Sequence, residues 1–116
     1  HTSNPQNPNY AVLQHLQAQL RQLNAPQAYT LVALPMPDRL IMNSANQLLP
    51  ASYVNYVLIN NAVLMPQYSD PQDSHALAIV QQCYPAREIV PINACELIQQ
   101  FGSLHCATLH LPENTL

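Results

Sequence analysis

LPASYVNYVLINNAVLMPQYSDPQDSHAL, residues 49–77, decides the fold class. Two apolar runs, VNYVLI and AVLM, flank Asn60-Asn61. Apolar runs joined by a two-residue turn read as a β-hairpin, and Asn is the non-Gly residue best suited to left-handed turn positions. The near-continuous apolar character predicts strands covered on both faces. Asp70-Pro71-Gln72-Asp73 then starts a helix, with Asp70 as N-cap, Pro71 in the first turn and Asp73 near the positive helix end. Ala76, Leu77, Val80, Cys83 and Tyr84 form its expected buried face, and Pro85 closes it.

Downstream, residues 88–92 (EIVPI) read as a strand whose Pro places it at an edge or makes it irregular. Residues 94–100 read as a short helix, and residues 104–111 (LHCATLHL) as a last strand before a tail. Upstream, residues 1–9 are a polar lead-in. Leu13, Leu16, Leu20 and Leu23 then form one apolar stripe, the core face of a Gln-rich helix that Asn24-Ala25-Pro26 ends. Residues 29–34 (YTLVAL) read as a strand stopped by Pro35-Met36-Pro37, and residues 39–42 as a short strand before a polar loop at 43–47. From Tyr53 onward the order is strand, strand, helix, strand, short helix, strand, which is α/β or α+β rather than a bundle.

Composition narrows the function class. The chain has 116 residues, of which 48% are hydrophobic, enough for a buried core. Only 8% are charged, against the ~25% usual for soluble domains. A net charge of -3 with three Lys plus Arg leaves no basic footprint for nucleic acid. No apolar stretch approaches the ~20 residues of a membrane span, and nothing resembles a signal peptide. The first residue is not Met, so the start reads as a fragment boundary or a processed end. Three cysteines cannot all pair with one another, which favours free thiols in a reducing compartment. One Gly among eleven Pro leaves Asn to cover turns that elsewhere use Gly.

Most reactive side chains have ordinary readings. Cys83 falls on an apolar helix face and reads as core; Cys95 opens a short helix and reads as a half-buried structural thiol. Cys83, Cys95, His105, Cys106 and His110 lack metal-ligand spacing, so no metal is expected. His15 and His75 read as solvated, and helix capping accounts for Asp70 and Asp73 better than a catalytic carboxylate pair does.

Three ordered stretches resemble the agmatine deiminase and bacterial (Porphyromonas-type) peptidylarginine deiminase family: residues 49–77, YPAREIVPI at 84–92 and FGSLHCATLHLP at 101–112. The family patterns are aSYxNFyxxNGxvixPxfxDxxDxxAL, FPxRxVVxI and GGGxIHCxTxxxP. Three motifs in order at compatible spacing are far more specific than one. The resemblance implies the pentein fold, a five-bladed α/β propeller of ββαβ units around a central channel. About two such units fit the elements above, so that residues 1–116 form the C-terminal portion of the domain.

It also implies the chemistry. The Cys of the closing motif maps onto Cys106, whose thiolate would attack the guanidinium carbon of agmatine or peptidyl-arginine. Ammonia leaves, and water hydrolyses the S-linked intermediate to a ureido product. Such chemistry needs carboxylates to hold the cation and a His for proton transfer. The family's motifs for both lie upstream, and this chain has no GGxxH or HxD motif to receive them. His105 matches a family position that is not the general base, and strand alternation would turn it away from Cys106. Gly102 retains one of three family glycines, as Gln100-Phe101-Gly102, and is a candidate substrate-binding position. Asn55 either lines the channel or closes a strand backbone. The resemblance implies no cofactor, a role in putrescine biosynthesis, a cytoplasmic location, a possible homo-oligomer and an upstream remainder of the same protein. The alternative is a non-catalytic fragment or pseudoenzyme module with a binding or structural role.

Overall fold

The computed structural model describes residues 1–23 and 29–112. The expected helix stop at Asn24-Ala25-Pro26 therefore lies outside the described residues, as does most of the tail. Helix α1 spans Tyr10–Arg21. Strand β1 is Val57–Leu58, β2 is Ala62–Gln67, helix α2 is Asp73–Cys83 and β3 is Glu88–Asn93. Two 3-10 turns follow, Leu97–Gln100 and His105–Ala107.

The hairpin forms, with Val57 opposite Leu64 and Leu58 opposite Val63 in antiparallel register. Its first arm is shorter than the pattern predicts: only these two residues of VNYVLI pair, and Val54, Leu58 and Ile59 are exposed instead of covered on both faces among the described residues. Ile59 N–H donates to Ala62 O at 3.0 Å, closing a two-residue turn at Asn60-Asn61. The Arg87 guanidinium also donates to Ile59 O. Helix α2 carries the chain across, and β3 pairs parallel to β2 from Ala62–Glu88 to Gln67–Asn93. The sheet order is β1-β2-β3, so Pro91 does lie on an edge strand. Pro66 sits in the middle strand, but β1 pairs no further along β2 than Leu64, so that side of Pro66 has no ladder bond to lose.

The core gathers Tyr53, Val63, Met65, Tyr68, Ala76, Val80, Ala94 and Ile98, with Leu49 and Ala51 from the preceding loop. On α2, Ala76 and Val80 are the buried pair, one helical turn apart.

Several expectations need correction. Neither Asn60 nor Asn61 takes positive φ; among the described residues the left-handed ones are Asn46 (φ 59), Ser69 (φ 53) and Phe101 (φ 64). Residues 29–34 form no strand, and residues 39–42 contribute only a bridge between Met42 and Leu48. Residues 104–111 form a 3-10 turn and an extended tail instead of a strand. A strand exists only where a neighbouring edge supplies hydrogen-bond partners, and none lies beside these runs among the described residues. The described residues thus hold one ββαβ succession rather than two. The Leu stripe is likewise not core: no residue of α1 is buried, Leu13, Leu16 and Leu20 line an open groove with Leu31, Val32 and Leu34, and Leu23 lies beyond the helix and is exposed. Cys83 is exposed. It has the right helical phase but is the last residue of α2, beside an open groove lined by Val32, Val54, Tyr56 and Tyr84.

The expected cap is also displaced. Helix α2 starts at Asp73, so its N-cap position is Gln72 and not Asp70, and Pro71 precedes the helix. Asp70 instead fastens the turn before it, accepting from the Gln72 amide at 3.0 Å while Asp73 accepts from the Asp70 amide at 3.1 Å. Asp70 also takes the amides of Asp38 and Arg39, each at 3.0 Å, and the Arg39 Nε at 3.5 Å. Asp73 also accepts from the Tyr53 hydroxyl at 2.6 Å and the Tyr68 amide at 3.1 Å. Both carboxylates are knots that tie loops to α2.

Candidate functional site

Cys106 sits in the middle of the His105–Ala107 turn with its thiol exposed. The turn is closed by the Ala107 amide, which donates to Ser103 O at 3.2 Å and Leu104 O at 3.1 Å. At its far side, Thr108 donates to His105 O through its amide at 3.2 Å and its hydroxyl at 3.0 Å.

A second turn, residues 52–55, meets the first. Its own closure is the Asn55 amide donating to Ser52 O at 3.2 Å. Asn55 is in no strand, and it meets the first turn twice. Its backbone carbonyl accepts the His105 amide at 3.2 Å, and its side-chain Oδ1 accepts the Cys106 Sγ–H at 3.4 Å.

Gly102 contributes space. A Cβ there would lie 3.2 Å from Cys106 Cβ and 3.9 Å from Sγ. The position favours a small residue because the Cys106 side chain occupies the volume, not because of left-handed backbone. Left-handed conformation falls one residue earlier, on Phe101, half of whose surface is exposed. A bulky residue there carries strain that Gly would not.

His105 does not follow strand alternation, since successive residues of a 3-10 turn diverge by about 120°. Its ring packs 5.9 Å from that of His110. Of the other thiols, Cys95 Sγ lies 3.5 Å from the Ser69 hydroxyl, and Cys83 stands apart at the end of α2. His15 and His75 are exposed, as expected. Among the described residues no three His, Cys, Asp or Glu side chains gather as metal ligands would, and no helix is long and apolar enough to cross a membrane.

Sequence reasoning missed the polar core beneath the site. Ser103 is fully buried, and its hydroxyl lies 2.8 Å from the Tyr68 hydroxyl. Tyr68 also donates to Ser52 O at 3.1 Å and accepts from Ser52 N at 3.4 Å. Burial pushes the Tyr68 phenol up; hydrogen bonds from Ser103 and Ser52 pull against it, and the Asp73 carboxylate adds to the rise. A buried Tyr needs a partner for its hydroxyl, but nothing in the sequence names one 35 residues away.

The profile of the Porphyromonas-type peptidyl-arginine deiminases matches residues 1–112. Agmatine deiminase of Pseudomonas fluorescens (strain SBW25) is 30% identical over 96% of this chain and 35% of its own length. A Porphyromonas gingivalis crystal structure, provisionally named an arginine deiminase, superposes with TM-score 0.89 at 38% identity, covering 95% of this chain and 32% of that one. A cysteine-to-serine variant of C. jejuni agmatine deiminase with substrate bound superposes with TM-score 0.78 at 28% identity, covering 88% of this chain and 29% of that one. The chain thus spans about a third of the length of each of these relatives.

Proposed function

The chain belongs to the Porphyromonas-type peptidyl-arginine deiminase family, and on that premise we propose that it carries the nucleophile segment of a hydrolase that deiminates agmatine or peptidyl-arginine. The observation that carries this reading is the exposed Cys106 thiol, held at a turn against Asn55 Oδ1 at 3.4 Å, within the segment the family profile covers. The cysteine-to-serine C. jejuni relative with substrate bound supports it, because removing a nucleophile is a way to keep a substrate intact.

In this mechanism the Cys106 thiolate adds to the guanidinium carbon, and the S–C bond forms as one C–N bond breaks and ammonia departs. Water then adds to the same carbon, and the thiol leaves as the ureido product is released. Gly102 keeps the side of Cys106 open, and Asn55 fixes the sulfur's direction. A His that moves the protons and carboxylates that hold the cation are supplied from outside residues 1–116, which form the C-terminal portion of a pentein-type domain. The upstream remainder also covers apolar side chains that are exposed among the described residues, including Leu31, Val32 and Leu109, the last 82% exposed. No cofactor takes part. Agmatine as substrate gives N-carbamoylputrescine, a step of putrescine biosynthesis; the resemblance, not this product, extends the reading to a cytoplasmic enzyme and a possible homo-oligomer.

The test is ureido-product formation by the intact protein, with Cys106→Ser as control. Agmatine and an arginyl peptide are offered separately, and the one turned over names the substrate class. Product from the Cys106→Ser protein at the unsubstituted rate would refute the assignment.

A further inference from the structure

We propose that the Tyr68 hydroxyl is the positioning group that sets Cys106 against Asn55. The inference rests on the nucleophile reading above and concerns how that site is held. Cys106 and Asn55 belong to two turns, residues 103–107 and 52–55, separated by about fifty residues of chain. Neither turn is in the sheet, so their relative placement must come from contacts between them. Of those contacts, the Cys106 thiol to Asn55 Oδ1 lies at the exposed surface, and the His105 amide to Asn55 O joins an exposed residue to a half-buried one. Water competes for the first.

Beneath them lies a contact that water does not reach. Tyr68 and Ser103 are buried, and their hydroxyls lie 2.8 Å apart. Tyr68 is rooted next to β2 by its own amide, which donates to Asp73 Oδ1 at 3.1 Å and Oδ2 at 3.2 Å. Its ring packs 5.6 Å from the ring of Tyr53. One phenol therefore grips the first residue of each turn: Ser103, whose carbonyl receives the Ala107 amide, and Ser52, whose carbonyl receives the Asn55 amide.

Counting protons fixes the direction of each bond. A phenol has one proton to give and two lone pairs to receive with. Its proton goes to Ser52 O at 3.1 Å, and the Ser52 amide approaches one lone pair at 3.4 Å. The remaining lone pair takes the Ser103 hydroxyl proton. Every donor and acceptor of the phenol is then used, which makes the junction rigid. Tyr68 touches no reacting atom; it acts through Ser103 and Ser52.

Tyr68→Phe removes the oxygen and keeps the ring, and Ser103→Ala removes the other end of the same bond. Both are made in the intact protein. A positioning role predicts kcat lower by about 10- to 100-fold, the range that sub-ångström to one-ångström misplacement costs, with KM within about threefold. The two substitutions together should cost little more than one alone, because they break one junction. Alkylation gives a reading independent of turnover. Cys106 should react about fivefold faster in either variant, the factor one lost hydrogen bond contributes, with Cys83 and Cys95 unchanged. If all three thiols accelerate together, the substitutions have merely loosened the fold, and the positioning role is overturned. Unsubstituted kcat together with an unchanged Cys106 alkylation rate would overturn it equally. Failure of the nucleophile reading itself shows separately, as turnover that survives Cys106→Ser.

Discussion

Asp73→Ala should be among the most damaging single changes to stability outside the apolar core. Asp73 accepts from the Tyr53 hydroxyl at 2.6 Å, the Tyr68 amide at 3.1 Å and the Asp70 amide at 3.1 Å. Tyr53 is fully buried, so truncation leaves its hydroxyl without an acceptor, at a cost of about 1–3 kcal/mol. The two amides open the start of α2 and the end of β2, and each adds about 1 kcal/mol. The expected loss is therefore about 3–5 kcal/mol, large for a single substitution. Asp73→Asn keeps one carbonyl oxygen for Tyr53 and should cost about 1–2 kcal/mol. Urea unfolding of the intact protein, followed by circular dichroism, reads the difference as a shift of about 1–2 M at a slope of about 2–3 kcal/mol/M. Tyr53→Phe supplies the second edge of a cycle: in its background Asp73→Ala should cost about 1–2 kcal/mol less. A loss below about 1 kcal/mol for Asp73→Ala, or no coupling to Tyr53, would refute the claim that this carboxylate ties the hairpin to the helix.

Three further outcomes follow from the geometry. Burial pushes the Asp70 carboxyl up, but the amides of Gln72, Arg39 and Asp38 and the Arg39 guanidinium outweigh it and hold the group below its ordinary value. A depressed carboxyl contributes stability above its unfolded value of about 4 and loses it as pH falls through the folded value; the stability gap between the unsubstituted protein and Asp70→Asn should thus close below pH ~4. Phe101→Gly relieves left-handed strain of about 1–2 kcal/mol against an entropic cost of about 0.5–1 kcal/mol, so the melting temperature should rise slightly. Gly102→Ala places a methyl 3.2 Å from Cys106 Cβ, pushes Cys106 by a few tenths of an ångström, and, on the proposed reading of Cys106, should lower kcat/KM by about three- to tenfold.

What the sequence made legible was local. The Asn60-Asn61 hairpin, α2 and the Pro-bearing edge strand each carry their signal within a dozen residues, and each formed. Residues 29–34 and 104–111 carry equally strong strand patterns but have no strand beside them among the described residues, and no local pattern reports whether a neighbouring edge exists. Cys83 shows the same limit on a helix: phase places it on the apolar face, but burial depends on what covers that end of α2. In the site, Cys106, Gly102 and Asn55 came from the motifs, and the structure brings all three together. Tyr68, Ser103 and Ser52 were not legible, because a hydroxyl junction between residues far apart leaves no spacing to read. The scarcity of Gly was read correctly, but its consequence was not. Asn46 covers one left-handed position, while Ser69 and Phe101 take the other two at greater steric cost.

Covalent capture tests the central claim most directly. Intact protein is mixed with agmatine or an arginyl peptide, quenched in acid during turnover, digested and examined by mass spectrometry. The account predicts an adduct on Cys106 with the mass of the substrate less ammonia, present only for the substrate that is turned over and absent from the Cys106→Ser protein. Turnover with no adduct on Cys106, or with the adduct on Cys83 or Cys95, would contradict it.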